Sequence, residues 1–151
     1  MSQIGFIVVS AGGAYSDAWH NNICIYLTRD GAEKEIVRLE EEAALNNAVS
    51  IWLNERSNKF EDNFRRLSPE PKRTCGTGGR YHLDDTYRAW HNSKLAKMQE
   101  AQRQAGLDAV AEFQIKEDSN LFESLKNYTG YLSNFNAESG CYQIEEVDIK
   151  S

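Results

Sequence analysis

The stretch "QIGFIVVSAGGAYSDAWHNNICIYLT", Gln3 to Thr28, decides the fold. It holds two runs rich in β-branched residues on either side of a cluster that favours turns. "QIGFIVVS" predicts a strand over 3–10 and "NNICIYLT" a second over 21–28, with "AGGAYSD" between them. In the second strand Ile23, Ile25 and Leu27 fall on one face, and Cys24 and Tyr26 on the other. The connection of about ten residues exceeds the usual hairpin loop of roughly two to five, and long loops between strands often carry function. Two strands are not stable alone, so a third is required. "CYQIEEVDI", residues 141–149, supplies it, with Tyr142, Ile144, Val147 and Ile149 as candidates for burial. All three strands are predicted to share one sheet, so that the core spans both ends of the sequence.

Between them the period changes from two to three and four. From Asp30, the predicted cap, apolar residues recur at Ala32, Ile36, Leu39 and Ala43, then Leu45, Ala48, Val49, Trp52 and Leu53, then Phe60, Phe64 and Leu67. A change of face or a break is expected near Asn46-Asn47. "SPEPKRTCGTGGR", residues 68–80, is a loop by its prolines and glycines. Asp84 or Asp85 then opens a second long helix with Leu83, Tyr87, Trp90, Lys94, Met98 and Ala101 on one stripe, expected to end at Gly106. "DAVAEFQIKED", residues 108–118, is ambiguous: Ala111, Phe113 and Ile115 alternate as in a strand, while Leu107, Val110 and Ala111 fit a helical turn, with the strand preferred; "SNLFESLKNY" reads as a short capped helix. No linker separates two cores. The expectation is a single α+β domain over 1–151: a small, mainly antiparallel sheet of three to four strands covered by two long helices and a short one.

Composition bounds the function. With 26% charged and 40% hydrophobic residues the chain reads as a soluble globular protein, and no apolar run approaches a membrane span. The start "MSQIGFIVV" lacks the features of a signal peptide, and three widely spaced cysteines, Cys24, Cys75 and Cys141, fit reduced thiols; both imply a cytoplasmic protein. The net charge of −6 is unevenly spread: residues 1–64 carry 5 basic and 10 acidic groups, 65–103 carry 9 and 4, and 104–151 carry 3 and 9. Such asymmetry can steer a charged partner.

Ala-Trp-His-Asn occurs twice, at 18–21 and 89–92, and includes two of the three tryptophans and two of the three histidines. The first copy runs into a strand and the second lies within a helix, so the two would present their rings differently, and a duplicated functional element is excluded. Trp52 and Trp90 are expected in the core and Trp19 at the surface. His20, His82 and His91 match no metal-binding spacing, no nucleophile elbow is present, and no metal, cofactor or catalytic residue is expected. Lys72, Arg73, Gly78, Gly79 and Arg80 form a candidate anion-binding turn, since glycine-rich backbone can present successive N–H groups to an anion. It lacks the Gly-Lys-Ser/Thr ending of a P-loop.

The segment "FIVVSAGGAYSDAWHNNICIYLTRDGAEKEIVRLEEE" and the closing "YQIEEVDI" resemble small phage and prophage accessory proteins: strand, Gly-x-Tyr-Ser-Asp-like turn, strand, helix opened by Ala-Glu, and a last strand. The resemblance covers about 50 of the 151 residues and transfers no catalytic residue. It implies a non-enzymatic protein that binds a host protein in the host cytoplasm and inhibits or redirects it, as anti-defence (anti-CRISPR-like) inhibitors do. The implied partner is a host protein, including a nucleic-acid-binding defence complex; direct nucleic-acid binding and membrane association are not expected. Candidate partner-binding residues are Tyr15, Asp17, Trp19 and His20 in the long connection, and Glu40, Glu41 and Glu42 on the first helix. The alternative is a small enzyme or ligand-binding protein using the Gly12-Gly13 and Cys75–Arg80 loops.

Overall fold

The structure, a computed structural model, describes residues 3–12, 19–72, 85–132 and 142–150, with the backbone alone at 19 and 20. The elements are β1 (Gln3–Gly12), β2 (Trp19–Tyr26), α1 (Arg29–Leu67), α2 (Asp85–Glu112), α3 (Asn120–Lys126) and β3 (Tyr142–Ile149). This is an α+β fold. They group into two compact units, residues 1–48 with 135–151, and residues 49–134, and α1 contributes to both. Among the described residues no helix is long and apolar enough to cross a membrane.

In the first unit β1 is the centre of an antiparallel sheet of order β2-β1-β3, which joins the three strands the sequence predicts. Residues directly opposite share a face, so the pairs Phe6↔Tyr26, Val8↔Cys24 and Val8↔Ile144 place five side chains together. This face meets the start of α1. A Cβ on Gly31 would lie 3.2 Å from Cδ1 of Tyr26, and Arg29 of α1 bridges to Glu146 of β3 at 3.1 Å. Val8, Ala32 and Ala43 are buried here, and Val9 is buried on the opposite face. On the opposite face Ile25 and Ile149 close over Gly5, where a Cβ would sit 2.7 Å from Ile149 Cδ1; only glycine fits without a shift. Between Val8 and Val9 the register skips Ile23, a bulge in β2.

Helix α1 begins one step earlier than its predicted cap. Thr28 Oγ1 accepts from the Gly31 N–H at 3.1 Å, while Asp30 lies in the first turn and pairs with Lys34. The helix then runs unbroken for 39 residues, past Asn46-Asn47. Its covered stripe passes through Ala32, Ile36, Leu39, Ala43, Asn46, Val49, Leu53, Ser57, Phe60 and Phe64 in steps of three and four. Leu45, Ala48 and Leu67, expected on the stripe, are exposed.

The second unit packs α1 from Val49 onward with α2 and α3. Its core joins Val49, Leu53, Ala105, Ala109, Ile115, Leu125 and Tyr128. Two expectations are overturned here. Gly106 does not end α2; it is buried, and a Cβ there would fall 2.1 Å from the Leu125 carbonyl oxygen, so glycine lets the chain after α3 lie against the helix. The presumed strand at 108–118 is the last turn of α2 and the loop beyond it. The turn closes with Gln114 N–H to Ala111 O at 3.4 Å and Ile115 N–H to Val110 O at 3.0 Å, around Gln114 at φ 50°. That is a Schellman ending with glutamine where glycine is usual. Ser119 caps α3, accepting from the Phe122 N–H at 3.2 Å. Trp52 and Trp90 are half-buried rather than central. Trp52 meets Phe113 edge-on at 5.8 Å, and Trp90 leans on Phe64 and donates to Ser68 O at 2.9 Å.

Candidate functional site

Strand β2 is held on one face, and among the described residues no strand covers its outer edge. The holding contacts run from Tyr26, hydrogen-bonded to both Cys24 and Glu35, into α1. The tyrosine pKa is pushed up to about 12, chiefly by the hydrogen bond to Cys24, then by burial and by the Cys24 and Glu35 charges. Arg38 grips Glu35, and its hydrogen bond holds the Glu35 carboxyl below the usual range against the opposing effect of burial. Arg38 also reaches Glu42 at 3.0 Å. This chain of contacts fixes the Cys24–Tyr26 face against the helix and leaves Ile23 and Ile25 turned outward, 41% and 59% exposed.

The outer edges of the sheet differ in charge. β2 carries no Lys, Arg, Asp, Glu or Pro, whereas β3 carries Glu145, Glu146 and Asp148 within eight residues. Charges and prolines are what proteins commonly place on edge strands to prevent pairing with another chain. β3 is guarded by charge and β2 is not. Among the described residues no strand pairs with the outer edge of β2.

The sequence-predicted residues fall unevenly on this arrangement. Trp19 and His20 open β2, with backbones opposite Gly12 and Ala11, and so join this edge. Tyr15, Asp17, Gly13, Arg73, Cys75, Gly78, Gly79, Arg80 and His82 lie outside the described residues; Lys72, at the margin, is exposed. Glu40, Glu41 and Glu42 do not form one acidic surface. Consecutive helical residues point about 100° apart: Glu40 is half-buried, Glu41 is exposed, and Glu42 is engaged by Arg38. His91 stacks on Tyr87 one turn earlier, with ring centroids 6.2 Å apart. Cys24 is a free thiol, and among the described residues no group of three or more His, Cys, Asp or Glu side chains is placed to hold a metal.

Sequence reasoning missed the edge itself. It read Ile23 and Ile25 as one face of a strand and did not ask which strand would lie outermost. The absence of charge across "WHNNICIY" was the available signal. Comparison with protein-family models, with curated proteins and with solved structures gives no match.

Proposed function

We propose that this is a non-enzymatic binding protein that captures an extended segment of a host protein along the outer edge of β2 and thereby inhibits or redirects it in the host cytoplasm. The observation that carries the reading is the uncharged, proline-free edge of β2 beside the exposed Ile23 and Ile25. Strand addition aligns the captured segment through main-chain hydrogen bonds and selects it through alternate side chains, and β2 offers both. A partner strand would lay its own apolar side chains beside Ile25 and meet Trp19 and His20 at the far end. The resemblance of the N-terminal segment to phage accessory proteins supports a host protein, including a defence complex, as the target class.

The acidic alternative, in which Glu40 to Glu42 enter a basic groove, has less support because Glu42 is already neutralised by Arg38 and the three glutamates diverge. The test is capture from a bacterial lysate by the intact protein and by Ile23→Lys/Ile25→Lys, with nuclease present and absent and at two salt concentrations. Both positions are exposed, so the variant should fold, which its melting curve checks. The expected result is one stoichiometric protein partner, indifferent to nuclease, retained at high salt and lost by the double variant. Undiminished capture by the double variant would show that β2 is not the contact, and loss at high salt would favour a charge-led surface.

A further inference from the structure

The helical unit contains a groove that the sheet edge does not explain. It lies between α1 and α2 over the buried Tyr128, has a volume of about 370 Å³, and is lined by residues of this unit alone. Small-molecule sites span roughly 300–1,000 Å³. The groove originates in the sequence. On the α1 stripe Ser57 stands between Leu53 and Phe60, and Ala101 and Ala105 of α2 also line the groove. Three small side chains where larger apolar ones would fill the space leave a trough walled by Leu53, Phe60 and Met98.

Small residues alone would mark only loose packing. Tyr128 marks something more. The residue is 8% exposed, yet its hydroxyl has no hydrogen-bond partner among the described residues. Among the described residues the one side-chain polar atom both sealed from solvent and without a partner is Asn46 Oδ1; Tyr128 Oη is not sealed, and Tyr128 lines this groove. Burial alone raises its pKa, which keeps the phenol protonated as a donor. The hydroxyl is therefore a donor at the groove wall that a ligand acceptor can engage. The charge at the rim is equally specific. Arg56 and Asp108 neutralise each other at 2.6 Å, and Arg56 also lies 4.0 Å over the Trp52 ring. Among the described residues Lys59 is the one charged lining residue without an ion-pair partner.

We infer that the groove between α1 and α2 is a binding site for a single-chain amphiphile with an anionic head, such as a medium-chain carboxylate. Its apolar body lies along Leu53, Phe60 and Met98, over Ala101 and Ala105. Its head is drawn to Lys59 and the groove's unpaired donors, with Tyr128 the most buried of them. The inference is independent of the strand edge.

Isothermal titration of the full chain with octanoate, and with 1-octanol as the uncharged counterpart, tests it. Octanoate should bind at one site in the sub-millimolar range, and 1-octanol several-fold more weakly. Lys59→Gln and Tyr128→Phe should each weaken octanoate binding by about three- to tenfold, the loss of one hydrogen bond or ion pair. Ala101→Trp, which fills the trough, should abolish it. Because Ala101→Trp can disturb packing, the exposed Lys59→Gln is the variant that keeps the result interpretable. The absence of saturable binding in the millimolar range, or wild-type affinity in Lys59→Gln and Tyr128→Phe together, overturns the inference. Equal affinity for octanol and octanoate overturns the anionic head.

Discussion

Replacing Gly106 by alanine sets two effects of opposite sign against each other. On helix propensity alone the change inside α2 should stabilise by about 1 kcal/mol. Yet the new Cβ would lie 2.1 Å from the Leu125 carbonyl oxygen and 2.9 Å from Tyr128 Cβ. A relaxed carbon–oxygen contact is about 3.3 Å or more, so the backbone leaving α3 must retreat by about 1 Å. It cannot do so freely, because Leu125 is fully buried and Tyr128 nearly so, both within the cluster around Val49, Leu53 and Ala109. Forcing volume into a packed core costs about 1–3 kcal/mol, and partial loss of Leu125 burial adds to it, since removing such a side chain outright costs about 2–5 kcal/mol. The clash should win, with a net destabilisation of about 2 kcal/mol. Urea unfolding of the wild type, Gly106→Ala and the exposed helical control Ala111→Gly measures both terms, because the control should lose only its propensity of about 1 kcal/mol. A Gly106→Ala protein as stable as the wild type, or more so, would refute the close approach of α2 to the chain after α3.

Gln114→Gly should act in the opposite sense. The residue is exposed and sits at φ 50°, so glycine should stabilise the protein by about 1 kcal/mol in urea unfolding; no gain would mean that the Schellman ending is misassigned. Tyr26 sets an alkaline limit on the first unit. Its pKa is raised in the fold to about 12, so the neutral phenol is the form the fold favours. The stability it contributes is complete below the unfolded value of about 10 and is lost as pH rises through about 12. In ¹³C-tyrosine NMR its ring should remain neutral at about pH 11, and Tyr26→Phe should flatten the alkaline loss of stability; a Tyr26 ring ionised near pH 10 would sink the Cys24–Tyr26–Glu35 linkage.

The sheet was legible because its strands are short, β-branched and terminal, and because two strands cannot stand alone. The helical stripes were legible for the same kind of reason, since steps of three and four residues persist over many turns. The misreadings are of two kinds, weak local signals and residues whose role is set by a neighbour distant in sequence. Asn46-Asn47 looked like a break, yet an asparagine costs a helix only about half a kcal/mol, and a 39-residue helix packed on either side absorbs it. Gly106 looked like a helix end because glycine usually is one; its reason for being glycine is the Leu125 carbonyl. The actual end falls on a glutamine, which no propensity would have chosen. The candidate site was less legible still. Whether β2 is an edge depends on β3 pairing with the other side of β1, a contact across most of the chain. The groove depends on three small residues on two helices more than forty positions apart.

The bulge in β2 bears on what kind of strand could be captured. By skipping Ile23 it divides the edge into Trp19–Asn22 and Cys24–Tyr26, each too short to form a long flat ladder. Bulges twist an edge strand and are one way of discouraging edge-to-edge pairing. A rigid edge from a second copy would carry the same bulge and would have to match it. A flexible segment of another protein can bend at that point instead. Such a segment loses about 1–2 kcal/mol of backbone entropy for each residue it orders, while each main-chain hydrogen bond returns a net of only about 0.5–1.5 kcal/mol. Backbone pairing over so short an edge therefore roughly breaks even. The affinity, and all of the selectivity, must come from side chains beside the strand. Ile25 is the more exposed of the two isoleucines on that strand, so a charge placed there should cost more binding than any loss of backbone pairing around it.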